Sequence, residues 1–579
     1  MSKRGDDGAE GTGVLDATRV VGLCTVFCKL TGLAREVVIT SLFGIGPVMD
    51  AFAYSCLVPA YFQAVVGGIN GPLHTAVLVS LKKRGREKSA PGNTGKPLVE
   101  ALSSWAVLPA TLLAAALFLF PSPAVTLFAP GLTGGGRSAG SLEHALATSQ
   151  LRIMSPCVIT GVLTGIAFGG LHASGHFLSP SISPAVANVA MVALLLLAGG
   201  GRGGMGTRPE VGTASQAAVD GSGGATLLAL AFLLGSLSQS LVQAAALQWQ
   251  GAGTFFKPRL RLSDRKVVTD AFGLLIPATL SSTMVQLATY TDLWFASGYP
   301  GAASAMACAA ILVTGPVGLL TALITVPRMP LLAQDAARSN WREFDSKCRD
   351  MARAGMHLGL PLAVSLVVFA QEIVKLVYER SAFTPASTVQ VVPVLTVYAC
   401  GISLFIWRDV LVRAFYAMGR GRVPAITSAS ALVANAALNA FLCERVATPA
   451  AGLVLSTVIV TAVSVCVLTA VLKRALSERL ASSAEPRGGQ GQGEGDTSDA
   501  IVAMAAAGIA TFYAKTASRA TPGLRALFGF PSVGASWVWD GILVGGALAS
   551  TWGVYYMVVR ASLILFRPRQ RNKGSHESR

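Results

Sequence analysis

Apolar residues along this chain fall into long runs that are separated by short polar or basic stretches. A helix of about 20 residues crosses a hydrocarbon core about 30 Å thick, so runs of that length predict membrane-spanning helices. The first six candidate spans lie near residues 18–43, 50–80, 99–120, 148–171, 178–199 and 224–248. The others lie near residues 267–297, 302–326, 354–377, 388–416, 423–443, 449–473, 499–517 and 538–566.

This pattern predicts an all-α polytopic membrane protein with about fourteen transmembrane helices. A weak internal repeat links "SLFGIGPVMDAFAYSCLVP" to "ASGYPGAASAMACAAILVTGP", because each joins a helix end to a second helix through a Gly/Pro turn. Two six-helix lobes around a central cavity account for such a repeat. The predicted organisation is a polar tail (1–17), an N-terminal lobe (18–248), a basic loop (249–266), a C-terminal lobe (267–474), a flexible linker (475–498), two further helices (499–566) and a basic tail (567–579).

Composition supports a membrane protein and argues against a nucleic-acid-binding one. The chain is 52% hydrophobic and 13% charged, with a mean hydropathy of +0.57. Its formal charge is +17, but the basic residues lie in short loops instead of forming a basic stripe with aromatic residues. With the N-terminus inside, about thirty Lys and Arg lie on the inner side against about eight outside, which predicts a cytoplasmic or stromal N-terminus.

No motif in the chain indicates an enzyme or a transition-metal site. The nine cysteines are scattered singly, without a C-x-x-C pair, so they predict neither a disulfide framework nor a zinc site. His172 and His176 lack the glutamate of an H-E-x-x-H motif and are assigned to a short loop. The sequence has no Walker A loop, and it therefore predicts a transporter without a cofactor.

Charged residues inside the predicted spans are the candidates for function. Such residues are costly in a bilayer and usually face a bundle interior or an aqueous cavity. Lys29 and Arg35 lie well within the first predicted helix, which makes them the best candidates for a cavity. The other intramembrane charges are Glu36, Asp292, Arg408, Asp409 and Arg413. For the last three, a structural ion network is as good an interpretation as substrate contact.

A second candidate site combines Asp292 with two asparagines. Asn435 and Asn439 are four residues apart in "VANAALNAFL" and therefore share one helix face, about 5–6 Å apart at Cβ. Oxygen ligands of this kind suit a hard monovalent cation. The alternative is hydrogen bonding between helices, which needs no ion.

Several motifs resemble one family in order along the chain. "CKLTGLARE" and "FGIGPVMDAF" are similar to the first-helix signature of the MurJ (MviN-type) lipid II flippases, which belong to the multidrug/oligosaccharidyl-lipid/polysaccharide exporter superfamily. "LRIMSP", "SISPAVANVAM", "IPATLSSTMVQLATYTDLWFAS", "YERSAFT" and "FYAMGRGRVP" continue the resemblance. "GGINGPLHTA" resembles the variants of cyanobacteria and plastid-bearing lineages.

The resemblance implies alternating access and a cationic cavity that holds a lipid-linked saccharide diphosphate. Lys29 and Arg35 match the family's two cavity arginines in the first helix, and Asp50 matches an acidic residue at the start of the second. Gln63 stands at a position where the family commonly has an arginine. Further departures are Gly68 in place of a glutamate, and Ala310 and Ile311 in place of an Asp-Arg pair. A diphosphate is best bound by Lys or Arg side chains. These departures make the cavity less cationic than in the usual family member.

The resemblance also implies a coupling ion, sodium or a proton. Some family members bind sodium through four residues that match Asp292, Asn435, Asn439 and Thr457. The expected partners are the lipid-linked substrate, membrane lipids and cell-wall synthesis proteins, in a bacterial inner membrane or, alternatively, a plastid envelope. Export of another lipid-linked oligosaccharide or a drug, and a transport-inactive scaffold in cell-wall assembly, are the alternative functions.

Overall fold

The computed structural model describes residues 6–69, 71–87, 96–133, 138–199, 214–255, 286–325, 328–446 and 448–482, with the single positions 269, 275 and 279. The predicted helices near 499–517 and 538–566 lie outside these residues, as does the first part of the predicted span 267–297. Within the described part of the chain the secondary structure is helical, without a strand.

The described helices before residue 256 follow the predicted apolar runs. They are α1 (Asp6–Phe43), α2 (Pro47–Ser55), α3 (Leu57–Tyr61), α4 (Pro72–Glu87), α5 (Lys96–Leu119), α6 (Pro121–Phe128), α7 (Ser138–Met154), α8 (Cys157–Ala173), α9 (Leu178–Gly199) and α10 (Ala214–Trp249). A π-helical turn, Phe62–Val66, follows α3, and a 3₁₀ turn, Pro130–Leu132, follows α6.

The helical residues 286–296 form α11. The helices that follow it are α12 (Ala302–Thr325), α13 (Met329–Ala337), α14 (Trp341–Val368), α15 (Ala370–Tyr378), α16 (Pro385–Cys400), α17 (Ile402–Ala417), α18 (Arg422–Leu442) and α19 (Pro449–Ser482). In the described residues, seven helices are long and apolar enough to cross a membrane, or ten if each bent pair forms one span. The exact number of fourteen remains a prediction.

Three predicted spans are bent. The predicted span 50–80 is divided into α2, α3, the π-helical turn and α4, and the first two segments meet at 50°. The predicted spans 148–171 and 388–416 bend by 43° each, between α7 and α8 and between α16 and α17. Pro156 lies at the first of these bends and Gly401 at the second. Proline lacks the backbone N–H that a continuous helix needs, and glycine lowers helix stability.

Glycines on α8 allow the π-helical turn to approach closely. A Cβ atom at Gly161 would lie 2.6 Å from the carbonyl oxygen of Phe62, and one at Gly165 would lie 2.8 Å from the Cα atom of Gly67. Because the apolar lipid gives helices no strong hydrophobic drive to associate, close packing over small residues is a main source of their attraction. These glycines therefore hold the irregular second span against α8.

Many large apolar side chains on the described helices are exposed. Leu197 is 82% exposed and Leu112 is 73% exposed, which a water-soluble surface rarely tolerates in such numbers. Lipid tails are the solvent that suits these side chains. The exposed apolar surface thus agrees with the long apolar helices in indicating a multi-pass membrane protein.

The chain divides into two compact units. One comprises Met1–Gly315, Val377–Val394 and Arg422–Val460, and the other comprises Pro316–Leu376, Leu395–Gly421 and Thr461–Arg579. Most of the predicted site residues belong to the first unit, including Asp292 and Asn435. The predicted lobe boundaries at 248 and 267 stay a prediction.

Candidate substrate and cation sites

Arg35 is held within α1 by two polar neighbours. Its Nη1 donates to Oδ1 of Asn188 on α9 at 3.1 Å, and its Nη2 lies 2.5 Å from Oε1 of Glu36. Asn188 in turn donates from Nδ2 to Oγ1 of Thr31, one turn before Arg35, at 3.2 Å. The Nε atom of Arg35 is buried and has no acceptor among the described residues. A buried donor without a partner is rare in proteins. The Arg35 side chain as a whole is 31% exposed, so part of the guanidinium is open to a ligand.

Lys29 differs from Arg35 in its environment. Its side chain is exposed, and no described residue forms a hydrogen bond or ion pair with it. The two residues are six positions apart on α1, so their directions around the helix axis differ by about 120°. One ligand contacts both groups only if it extends around the helix.

Asp50 is engaged in a structural contact. Its Oδ1 accepts the backbone N–H of Ser304 at 2.8 Å, and its Oδ2 accepts that of Gly301 at 2.5 Å. Both N–H groups lie at the N-terminus of α12, where the helix dipole favours a negative charge. The Asp50 side chain is 1% exposed. In this conformation the carboxylate caps α12, so we leave Asp50 out of the proposed substrate contacts.

Gln63 also forms contacts within the protein. Its Nε2 donates to the Cys157 carbonyl at 3.1 Å and to Oγ1 of Thr160 at 2.8 Å, and it also contacts Oγ of Ser236. Gln63 thus joins the π-helical turn to α8 and α10. At Gly68, which stands where the family has a glutamate, a Cβ atom would lie 2.1 Å from the Ala64 carbonyl oxygen. The local backbone therefore has no room for a longer side chain at residue 68.

The four predicted cation-binding residues come together in one buried cluster. Oδ1 of Asp292 accepts from Nδ2 of Asn435 at 2.8 Å and from Nδ2 of Asn439 at 2.7 Å. Its Oδ2 accepts from Oγ1 of Thr457 at 2.8 Å. Asp292 is 4% exposed and Asn439 is 0% exposed. Helices α11, α18 and α19 therefore each contribute to this cluster.

Ser456 is a fifth member of the cluster that the sequence did not reveal. Its Oγ lies 3.0 Å from Oδ1 of Asn435 and contacts Oδ1 of Asn439. Ser456 precedes Thr457 on α19 and is 0% exposed. A serine in an apolar helix carries no charge and no spacing signal, so only the packed helices identify it. Asn188 was missed for the same reason, although it lies within the motif "SISPAVANVAM".

The remaining intramembrane charges lie on α17. Nε of Arg413 lies 2.7 Å from Oδ2 of Asp409, four residues earlier on the helix. Arg408, one residue before Asp409, is half-buried. Of the two predicted interpretations of this group, the Asp409–Arg413 pair favours a structural ion network.

The predicted loop position of His172 was wrong, because the residue lies in the last turn of α8. Its Nδ1 is 2.8 Å from Nε2 of His74 on α4. Among the described residues, no group of three or more His, Cys, Asp or Glu is arranged to hold a metal ion. The histidine pair therefore joins two helices.

Comparison with known proteins identifies the family. A family model described as "Lipid II flippase MurJ" matches residues 39–523. A "Probable lipid II flippase MurJ" of Synechocystis is 33% identical over 462 residues, covering 79% of this chain and 81% of that protein. The chain belongs to the MurJ family. The MurJ protein of Vibrio cholerae is 26% identical over 428 residues, covering 73% of this chain and 76% of that protein.

Solved structures agree with the MurJ fold. A structure named "Lipid II flippase MurJ, inward closed conformation" has a TM-score of 0.68 at 19% identity, covering 94% of this chain and 98% of that one. An inward-facing multidrug resistance MATE family transporter of the MOP superfamily has a TM-score of 0.60 at 15% identity, covering 80% of this chain and 99% of that one. The predicted family and fold class are confirmed, and this MurJ family member is a transporter, not an enzyme.

Proposed function

We propose that this chain translocates lipid II, the lipid-linked peptidoglycan precursor, across its membrane by alternating access. The observation that carries the proposal is Arg35, a guanidinium on an apolar helix that is 31% exposed and whose Nε–H lacks an acceptor among the described residues. Membership of the MurJ family, over residues 39–523, supports the same substrate.

Arg35 is suited to a diphosphate. A guanidinium forms charge-assisted hydrogen bonds with phosphate oxygens, and these are roughly twice as strong as neutral ones. Asn188 accepts from Nη1 and Glu36 from Nη2, so the side chain is oriented before a ligand arrives. Pre-orientation lowers the entropy cost of binding. The exposed Lys29 adds a second positive charge on the same helix.

The cluster around Asp292 is the proposed site for a coupling cation. Sodium would be held by the Asp292 carboxylate, the amide oxygens of Asn435 and Asn439, and the Thr457 hydroxyl. Hard cations prefer such oxygen ligands. A bound cation supplies the positive charge that a buried carboxylate needs. A proton on Asp292 is the alternative coupling ion.

The membrane follows from the substrate and the loop charges. We place the N-terminus on the cytoplasmic or stromal side, because basic loops face that side. Lipid II is moved toward the side where peptidoglycan is built, so the proposed location is a bacterial inner membrane or a plastid envelope. Cell-wall synthesis proteins on the far side are the proposed partners that receive it.

Complementation tests this function. A bacterium depleted of its own lipid II flippase should grow and keep its shape when it expresses this chain. Arg35→Ala should abolish this rescue at normal membrane levels, because a phosphate contact inside the bundle loses its donor. Arg445→Ala is the matched control, since Arg445 lies over the Phe441 ring at the end of α18. Its rescue should equal that of the wild type.

The other outcomes favour the rival functions. Failure of a well-expressed, inserted wild-type chain would favour a different lipid-linked saccharide or a drug as substrate. Failure together with binding to cell-wall synthesis proteins would favour a scaffold. Full rescue by the double variant Lys29→Ala, Arg35→Ala would contradict the proposed substrate contacts.

A further inference from the structure

The hydrogen bonds around Ser456 cannot all be made at once. A serine hydroxyl carries one proton, yet Oγ of Ser456 faces three oxygen atoms. These are Oδ1 of Asn435 at 3.0 Å, the Leu453 carbonyl oxygen at 2.7 Å, and Oδ1 of Asn439. At least two of these oxygens therefore receive no proton from Ser456.

At Asp292, on the other side of the cluster, each contact pairs a donor with a carboxylate oxygen. The Asp292 carboxylate receives an N–H from each of Asn435 and Asn439 and an O–H from Thr457. Both asparagine amides thus direct their donors to Asp292 and their acceptors to Ser456. An amide that turns by 180° exchanges these two directions, because its oxygen and nitrogen are nearly equal in size and shape.

Turning both amides satisfies every hydrogen bond at Ser456. The hydroxyl oxygen has two lone pairs, so it accepts one N–H from each asparagine. Its own proton then goes to the Leu453 carbonyl, already 2.7 Å away. The two amide oxygens now face the Asp292 carboxylate. These oxygens repel one another unless a positive charge lies among them.

We propose that Ser456 is the positioning residue of the cation site. By changing from donor to acceptor, its hydroxyl allows the Asn435 and Asn439 amides to turn their oxygens toward a bound monovalent cation. This inference rests on the proposed cation site at Asp292. It adds a residue that does not contact the ion but sets the orientation of two groups that do.

The test measures sodium binding by the purified full-length protein in detergent. Thermal unfolding is followed at increasing sodium chloride, with N-methyl-D-glucamine chloride keeping the ionic strength constant. A ligand that binds only the folded state raises the unfolding temperature with its concentration, which yields an apparent affinity. The wild type should be stabilised by sodium, and Asp292→Asn should abolish the effect.

Ser456→Ala should weaken the apparent sodium affinity at least about tenfold, because two buried amide N–H groups then lack an acceptor in the bound form. Ser456→Thr keeps the hydroxyl and should restore the affinity to within about threefold of the wild type. Ser464→Ala is the matched control, as Ser464 is a buried serine two turns further along α19. Its sodium affinity should be unchanged.

The outcomes separate the two proposals. If sodium stabilises neither the wild type nor any variant, or if Asp292→Asn retains the effect, both the cation site and the role of Ser456 are wrong. If Asp292→Asn abolishes the effect but Ser456→Ala binds sodium as the wild type does, only the role of Ser456 is wrong. If Ser456→Ala and Ser456→Thr lose affinity equally, packing accounts for the loss and the hydroxyl has no such role.

Discussion

Replacing Asp50 by alanine removes a carboxylate from the N-terminus of α12. Two backbone N–H groups, those of Gly301 and Ser304, then lose their acceptor. Asp50 is 1% exposed, so water does not readily replace the lost oxygen atoms. The perturbation therefore tests whether this carboxylate stabilises the fold.

The expected magnitude follows from those two contacts. A buried donor without an acceptor costs about 1–3 kcal/mol, and loss of a helix cap costs about 0.5–2 kcal/mol. Removing a buried charge returns part of this, since the carboxylate no longer has to be desolvated. We expect Asp50→Ala to lower the free energy of unfolding by about 2–4 kcal/mol. Asp50→Asn keeps one acceptor oxygen but turns an amide donor toward the other backbone N–H, so most of the loss should remain.

Unfolding of the purified protein in mixed micelles, titrated with sodium dodecyl sulfate, measures this difference. Asp350→Asn is the control for loss of charge, because Asp350 is 57% exposed and lies 4.0 Å from Arg353. An exposed pair of this kind contributes about 0–1 kcal/mol. A change below about 0.5 kcal/mol in Asp50→Ala would refute the capping role. Loss of transport at unchanged stability would instead support the substrate contact that the sequence predicted.

Two other predictions concern the packing of the second span. Gly161→Val should prevent stable folding, because even its Cβ atom would lie 2.6 Å from the Phe62 carbonyl oxygen. Gly22→Val is the control, since no atom lies within 4 Å of the added Cβ. Equal thermal stability of the two variants would contradict the close approach. Gln63→Leu should lower the free energy of unfolding by about 0.5–1.5 kcal/mol, because the Cys157 carbonyl and the Thr160 hydroxyl each lose one hydrogen bond and keep another. Unfolding in mixed micelles measures the loss, and unchanged stability would argue against the contact.

The positions of the apolar helical segments could be predicted from hydropathy alone, because the described runs of about 20 apolar residues are largely helical. Hydropathy alone does not predict the bends. Hydropathy averages over a window and does not detect that Gly161 lies close to the Phe62 carbonyl. The π-helical turn Phe62–Val66 depends on this contact between distant segments.

In the cation cluster, some residues could be predicted from the sequence and one could not. Asp292 could be predicted from its charge, and Asn435 and Asn439 from their spacing of one helical turn. Thr457 required the family resemblance. Ser456 could not be predicted, because a hydroxyl in an apolar helix costs little and its role depends on two partners on another helix.

The contacts of Asp50 could not be predicted from the sequence. Its charge identified it as unusual, but its contact with Gly301 joins residues that are 251 positions apart. A buried carboxylate has several ways to be satisfied: a ligand, a basic side chain or a helix N-terminus. Only the folded chain distinguishes between them.

The most direct test of the central proposal measures lipid II translocation by the purified chain in vesicles. Fluorescent lipid II is placed in both leaflets, a quencher is added outside, and a sodium gradient and a membrane potential are applied. The account predicts that the wild type and Arg445→Ala move the labelled lipid between leaflets much faster than protein-free vesicles, and that Arg35→Ala does not. Translocation no faster than in protein-free vesicles, by a correctly inserted wild-type chain, would contradict the account.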